Sequence, residues 1–165
     1  MAPNATAAAI EARLQQMGSP DDARFLQGYF RTGPGEYGEG DRFLGIRAPA
    51  LRAVAREYRG LPLTEVAALL RSPWHEARSL AAILMADGYP RADEGGREAI
   101  YRLYLGNTEY IDNWDLVDLA AWWVVGVGGR GDVSHPVTRT PASSAISARG
   151  DIPAPPIPMK CTGPP

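Results

Sequence analysis

Twice in its first half the chain follows a serine with a proline and then with apolar residues at three- and four-residue spacing, in Ser19-Pro20-Asp21-Asp22 and again at Ser72-Pro73. Serine in such a place caps a helix N-terminus, and proline suits the first turn, where no backbone N–H is required. Gly18, Gly60 and Gly88 stand where the apolar periodicity stops. Starts and stops this frequent confine the chain to short helices of about 10–15 residues. No segment shows sustained apolar–polar alternation, so strands are not expected.

Along residues 1–125 the pattern predicts a first helix over Ala7–Met17 and a second from Ser19 to about Arg31, with Phe25, Leu26, Tyr29 and Phe30 as its apolar face. Residues 33–45 form a glycine-rich loop. Pro49 opens a helix carrying Leu51, Val54, Ala55 and Tyr58, and residues 62–71 form the next, with Val66, Leu69 and Leu70 inward. The Ser72-Pro73 start leads into Leu80, Ile83 and Leu84. A helix over about 93–105 follows, then one from Asn113 to about Val125, capped by Asp112. Such a series suggests stacked helical hairpins, an α-solenoid, although no sequence repeat of fixed period supports it.

Charge excludes little. A net charge of −2 and a pI near 5.7 supply no global attraction for nucleic acid, which leaves only local basic surface. Lys160 is the only lysine among 17 basic residues, and arginine is the better phosphate ligand. The single Cys161 rules out an internal disulfide and a cysteine-based zinc site. The N-terminus lacks a basic region followed by an apolar run, and the longest apolar stretch, 119–125, is far too short to span a bilayer. A soluble, cytoplasmic monomer without membrane association is the expectation.

Residues 126–165 differ from the rest. They hold eight of the 15 prolines and no Phe, Tyr, Trp or Glu, a composition that buries too little apolar surface to offset its ordering entropy. A natural disordered tail is one reading. A shifted reading frame or truncation is the other, and the abrupt change inside the apolar 119–125 segment favours it.

Several motifs fail on chemistry. Gly33-Pro34-Gly35-Glu36-Tyr37-Gly38 matches GxGxxG in form but follows a helix, and Glu36 and Glu39 would repel a phosphate. His75-Glu76 begins an HExxH pattern, but Ser79 stands where the second histidine belongs, which excludes that zinc site; His75 is expected on the surface of a first helical turn. His135 has no evident partner. Arg130-Gly131-Asp132 and Arg149-Gly150-Asp151 are three-residue matches in a segment rich in their components and carry no argument.

One pairing stands out. Trp114 and Asp118, in Asp112-Asn113-Trp114-Asp115-Leu116-Val117-Asp118, lie four residues apart and share one face of a helix. An indole beside a carboxylate suits a substrate that is flat and cationic, or becoming cationic. The competing reading is an exposed solvating aspartate and a packing tryptophan. Asp115, three residues after Asp112, reads as a capping-box partner.

Tyr29-Phe30-Arg31-Thr32-Gly33-Pro34-Gly35-Glu36-Tyr37-Gly38-Glu39-Gly40-Asp41 with Phe43-Leu44-Gly45-Ile46-Arg47, and later Asn107-Thr108-Glu109-Tyr110-Ile111 with Asn113-Trp114-Asp115-Leu116-Val117-Asp118, resemble the DNA alkylation repair family, the AlkD-like DNA glycosylases. The resemblance spans roughly residues 15–125. It implies an all-α, HEAT-like helical-repeat solenoid curving around duplex DNA, incomplete in this chain. It also implies hydrolysis of the N-glycosidic bond of cationic alkylated purines such as 3-methyladenine and 7-methylguanine, without metal or organic cofactor. By motif position the family's catalytic Trp and Asp fall on Trp114 and Asp118. A catalytic-surface arginine and a second tryptophan belong to later helices, which residues 126–165 do not supply, so weak or lost activity is expected. Arg47, Arg52, Arg56 and Arg59 are the candidate phosphate contacts. A HEAT-like module that binds DNA or protein without catalysis is the alternative.

Overall fold

A computed structural model describes residues 5–126, and the expectations placed on His135, Cys161 and, past Gly126, the 126–165 tail lie outside the described residues. Seven α-helices follow in order: α1 (Ala7–Met17), α2 (Pro20–Tyr29), α3 (Ala48–Glu57), α4 (Leu63–Leu70), α5 (His75–Gly88), α6 (Glu94–Leu105) and α7 (Trp114–Ala121). Short 3-10 turns at Tyr89–Arg91 and Thr108–Tyr110 link the later helices, and a π-helical turn, Trp122–Gly126, continues α7. Among the described residues there is no strand, only one isolated bridge between Arg42 and Trp74. The all-α expectation holds, and short helices packed through short connections are what a helical-repeat fold requires.

Local chemistry explains the helix starts. Thr6 accepts the Ala9 N–H at 3.3 Å, Ser19 accepts that of Asp22 at 3.3 Å, and Asp93 accepts that of Gly96 at 2.8 Å. Each side chain satisfies an amide that the helix leaves unpaired. Two expected starts move. The fifth helix begins at His75, not at Ser72-Pro73, and the His75 N–H, which a first helical turn leaves without an intrahelical acceptor, is taken by the Arg42 carbonyl at 2.8 Å. Ser72 instead donates to Glu11 at 2.9 Å and accepts the Trp74 N–H. On α7 the cap position belongs to Asn113, and Asp112 turns away to Arg78 at 3.4 Å.

The core is built around α5. Leu80, Ala81 and Met85 are buried against α4, α3 and α7, which contribute Leu69 and Leu70, Leu51 and Val54, and Leu116 and Ala120. α1 closes one side with Ile10 and Leu14. Full burial of one such side chain contributes about 1.5–3 kcal/mol. The expected apolar face of α2 behaves differently: the helix buries none of its residues, and only Phe30, just past its end, is covered. Phe25 and Tyr29 remain more than half exposed, at 56% and 58%.

The glycine-rich loop is held by its own acids. Glu36 accepts the Gly33 N–H at 3.0 Å and Glu39 that of Gly35 at 2.8 Å, so the amides that a phosphate would need are occupied. At Gly45, φ is +87° and an added Cβ would lie 2.1 Å from the Ser19 carbonyl oxygen. Only glycine lets the loop pass this close to the start of α2.

Candidate functional site

α7 sets Trp114 and Asp118 one turn apart on a face that opens to a pocket of about 450 Å³ between α2, α3, α5 and the loop. Trp114 is 47% exposed and Asp118 is exposed, both on the pocket wall. The exposed aromatics of α2 complete that wall. Tyr29 lies 6.4 Å from Trp114 between ring centroids, and Phe30 lies 5.6 Å away at 31°. Apolar side chains that the core does not use therefore line a recess whose polar groups include three carboxylates, Glu76, Asp115 and Asp118.

Beneath this wall lies a buried ionic network that sequence reasoning missed. The His75 ring is sandwiched among aromatics, 4.3 Å from Phe43 in a stacked arrangement and 5.2 Å from Phe30. Its Nδ1–H donates to Asp41 at 2.7 Å and its Nε2–H to Asp115 at 2.8 Å. Arg78 donates to the other Asp41 oxygen at 2.7 Å, and Asn113 donates to Asp41 at 3.3 Å. Burial alone would depress the His75 pKa, but the hydrogen bonds and charges of Asp115 and Asp41 override it and push the imidazole up to about 9. Burial likewise works to raise the Asp41 carboxyl, and the His75 bond and charge, with Arg78 and Asn113, hold it below the usual carboxylate range. A cation at a helix N-terminus opposes the helix dipole, so His75 at the start of α5 needs both carboxylates.

His75 is thus 3% exposed and not a surface residue, and Asp115 is its partner and not a capping-box residue. One signal for this was legible. Leu80-Ala81-Ala82-Ile83-Leu84-Met85 is apolar around the whole helix, so the polar turn just before it enters the core. Glu76, 2% exposed, is the second member of that turn, and its carboxylate accepts the N–H groups of Leu44, Gly45 and Ile46 at 2.8–3.1 Å. It fastens the loop as His75 fastens α7.

The four candidate arginines separate. Arg47 is bound to Asp22 at 2.5 Å and lies over the Phe25 ring at 5.0 Å, while Arg59 is bound to Asp87 at 2.7 Å. Arg52 lines the pocket and Arg56 follows it one turn along α3, both exposed and neither ion-paired among the described residues. Among those residues no group of three or more His, Cys, Asp or Glu is arranged to hold a metal ion.

Searches of curated proteins and of solved structures each returned no significant match. A family model described as DNA alkylation repair enzyme matches residues 10–135, a span that takes in all seven helices apart from the first residues of α1 and includes the pocket and the network beneath it. This chain belongs to the DNA alkylation repair enzyme family.

Proposed function

We propose that the pocket face of α7 meets duplex DNA carrying a cationic alkylated purine, and that Asp118 and Trp114 promote hydrolysis of its N-glycosidic bond. The carrying observation is the placement of both side chains on one wall of an aromatic pocket. A purine alkylated on N3 or N7 is already positive and leaves without a general acid. The barrier lies in the oxocarbenium character that develops on the deoxyribose. A fixed carboxylate stabilises that charge and orients the attacking water. The Trp114 indole packs against the sugar and favours the cation through its π face. Arg52 and Arg56 supply phosphate contacts, whereas Arg47 and Arg59 must first give up an acidic partner.

Solvent decides how much Asp118 contributes. A carboxylate about 4 Å from a unit charge attracts it by roughly 1 kcal/mol in water and roughly 4 kcal/mol near a protein surface. Asp118 is exposed in the free chain, so the DNA itself must exclude water from it. Among the described residues no second tryptophan lines the pocket, and excision is expected to be weak.

That exposure favours a second reading, a helical module that binds DNA without catalysis. The test is release of methylated purine from alkylated duplex DNA by the full chain and by Asp118→Asn. The substitution is expected to lower excision by about 100-fold or more. Excision that survives the change sinks the catalytic assignment. DNA binding without any excision by the unsubstituted chain establishes the binding module.

A further inference from the structure

The first turns of α5 carry four buried polar residues, His75, Glu76, Arg78 and Ser79, where the loop, α2 and α7 converge. A polar cluster this deep is destabilising where its groups lack partners, as Arg78 Nε and one Asp115 oxygen do, so the bonds that its other groups make matter the more. Here the partners come from elements far apart in sequence. Asp41 belongs to the loop and Asp115 to the first turn of α7, and the two reach opposite nitrogens of one ring. Arg78 extends the same tie from Asp41 to Asp112, just before α7.

The rotation of α7 about its axis determines which side chains face the pocket. Asp115 points inward to His75 beside the buried Leu116 and Ala120, and together these place Trp114 and Asp118 on the open side. A second route reaches the same place, because Phe30 packs on the His75 ring and Trp114 leans on Phe30. The other Asp115 oxygen is buried without a hydrogen-bond partner, so the bond to His75 is the contact that orients this carboxylate.

We infer that His75, clamped between Asp41 and Asp115, is a positioning residue that sets the rotation of α7 and so the direction in which Trp114 and Asp118 face the pocket. The inference rests on the proposed function only in treating that face as the working one. Asp115 is thereby committed to the imidazolium, and Asp118 is left as the carboxylate free to act in the pocket. The charged groups around the ring are Asp41 from the loop, Asp115 and Asp112 from the α7 side, and Arg78 and Glu76 from α5 itself. The residue just past α2, Phe30, is apolar. Loss of the ring proton removes one of the two N–H donors: Asp41 keeps those of Arg78 and Asn113, whereas Asp115 has no other donor, so a ring that retains its Nδ1–H releases α7 from this tie.

The test uses the full chain labelled with 5-fluorotryptophan in a His135→Gln background, so that His75 is the only histidine. The Trp114 fluorine resonance is assigned by Trp114→Phe, and far-UV circular dichroism reports helix content at each pH. The His75 ring nitrogens are expected to show imidazolium at neutral pH, and the Trp114 resonance to move at alkaline pH with the same midpoint. Asp115→Asn keeps an oxygen that accepts the Nε2–H and should leave the Trp114 resonance near its original position. Asp115→Leu, of similar size, should shift it. A Trp114 resonance unmoved when His75 loses its proton overturns the inference, as does an Asp115→Leu spectrum matching that of Asp115→Asn. No DNA is involved, so absence of excision bears on the proposed function alone and an unmoved Trp114 bears on this inference alone.

Discussion

His75 and Asp115 are 40 residues apart in the chain and 2.8 Å apart in space, and their bond joins the most buried helix of the fold to the helix that carries the candidate catalytic pair. The other nitrogen of the same ring holds Asp41 at 2.7 Å. The consequences of this link extend to stability, to pH and to the site.

Stability should fall as the solution becomes alkaline. The His75 pKa is raised from an ordinary 6.5 to about 9, so its contribution is complete below the unfolded value and is lost as pH climbs through the folded one. At about 1.4 kcal/mol for each tenfold change in proton affinity, the loss amounts to roughly 3 kcal/mol. Urea denaturation at intervals between neutral pH and pH about 10 measures it. His75→Gln should be less stable at neutral pH and nearly flat across that window. Asp41 has the opposite sign: its lowered pKa stabilises the fold above the ordinary carboxylate value of 3.8, and that contribution disappears in acid.

Two glycines with similar backbone should respond differently to alanine. Gly45 and Gly35 both have positive φ, +87° and +77°, a strain of about 1–2 kcal/mol for an L-residue. At Gly35 an added Cβ meets open space, so the loss should stop near that value. At Gly45 it would meet the Ser19 carbonyl and the Ala23 amide at 2.1 and 2.5 Å. Gly45→Ala should therefore be the more damaging by at least 1 kcal/mol, at about the scale of a buried-core defect. Denaturation midpoints of the two variants settle the comparison.

Leu80→Ala should destabilise by about 2–5 kcal/mol, because Leu80 is 0% exposed at the centre of α5, where neighbouring helices cannot collapse independently into the space left. Thermal unfolding of this variant against Phe25→Ala makes the contrast. Phe25 is 56% exposed, and its loss should change stability far less.

The arginines should separate in DNA binding. Arg52→Ala and Arg56→Ala are each expected to weaken affinity for duplex DNA at low salt and to reduce the slope of log K against log salt by about 1. Arg59→Ala should leave both nearly unchanged, since Arg59 already neutralises Asp87. Fluorescence anisotropy with a labelled duplex at several salt concentrations reads both quantities. Equal effects from all three would remove the ion pairs as the reason for the difference.

Local rules settled the helices. Cap residues, early prolines and apolar spacing place α1 at Ala7–Met17 as expected and bring the others to within a few residues of their observed ends, because each signal acts within one or two turns of chain. They also put Trp114 and Asp118 on one face, since four-residue spacing does so on any helix. Tertiary structure decided the rest. Whether Phe25 and Tyr29 lie in the core or on a pocket wall depends on what packs across from α2, and no residue of α2 records that. Whether His75 lies at the surface or is a buried cation depends on Asp41 and Asp115, which are 34 and 40 residues away. Electrostatics acts through space, so the partner of a charge becomes visible only when the chain has brought it there. The Trp114–Asp118 face was thus written in the sequence, while the ring that holds it in place was created by the fold.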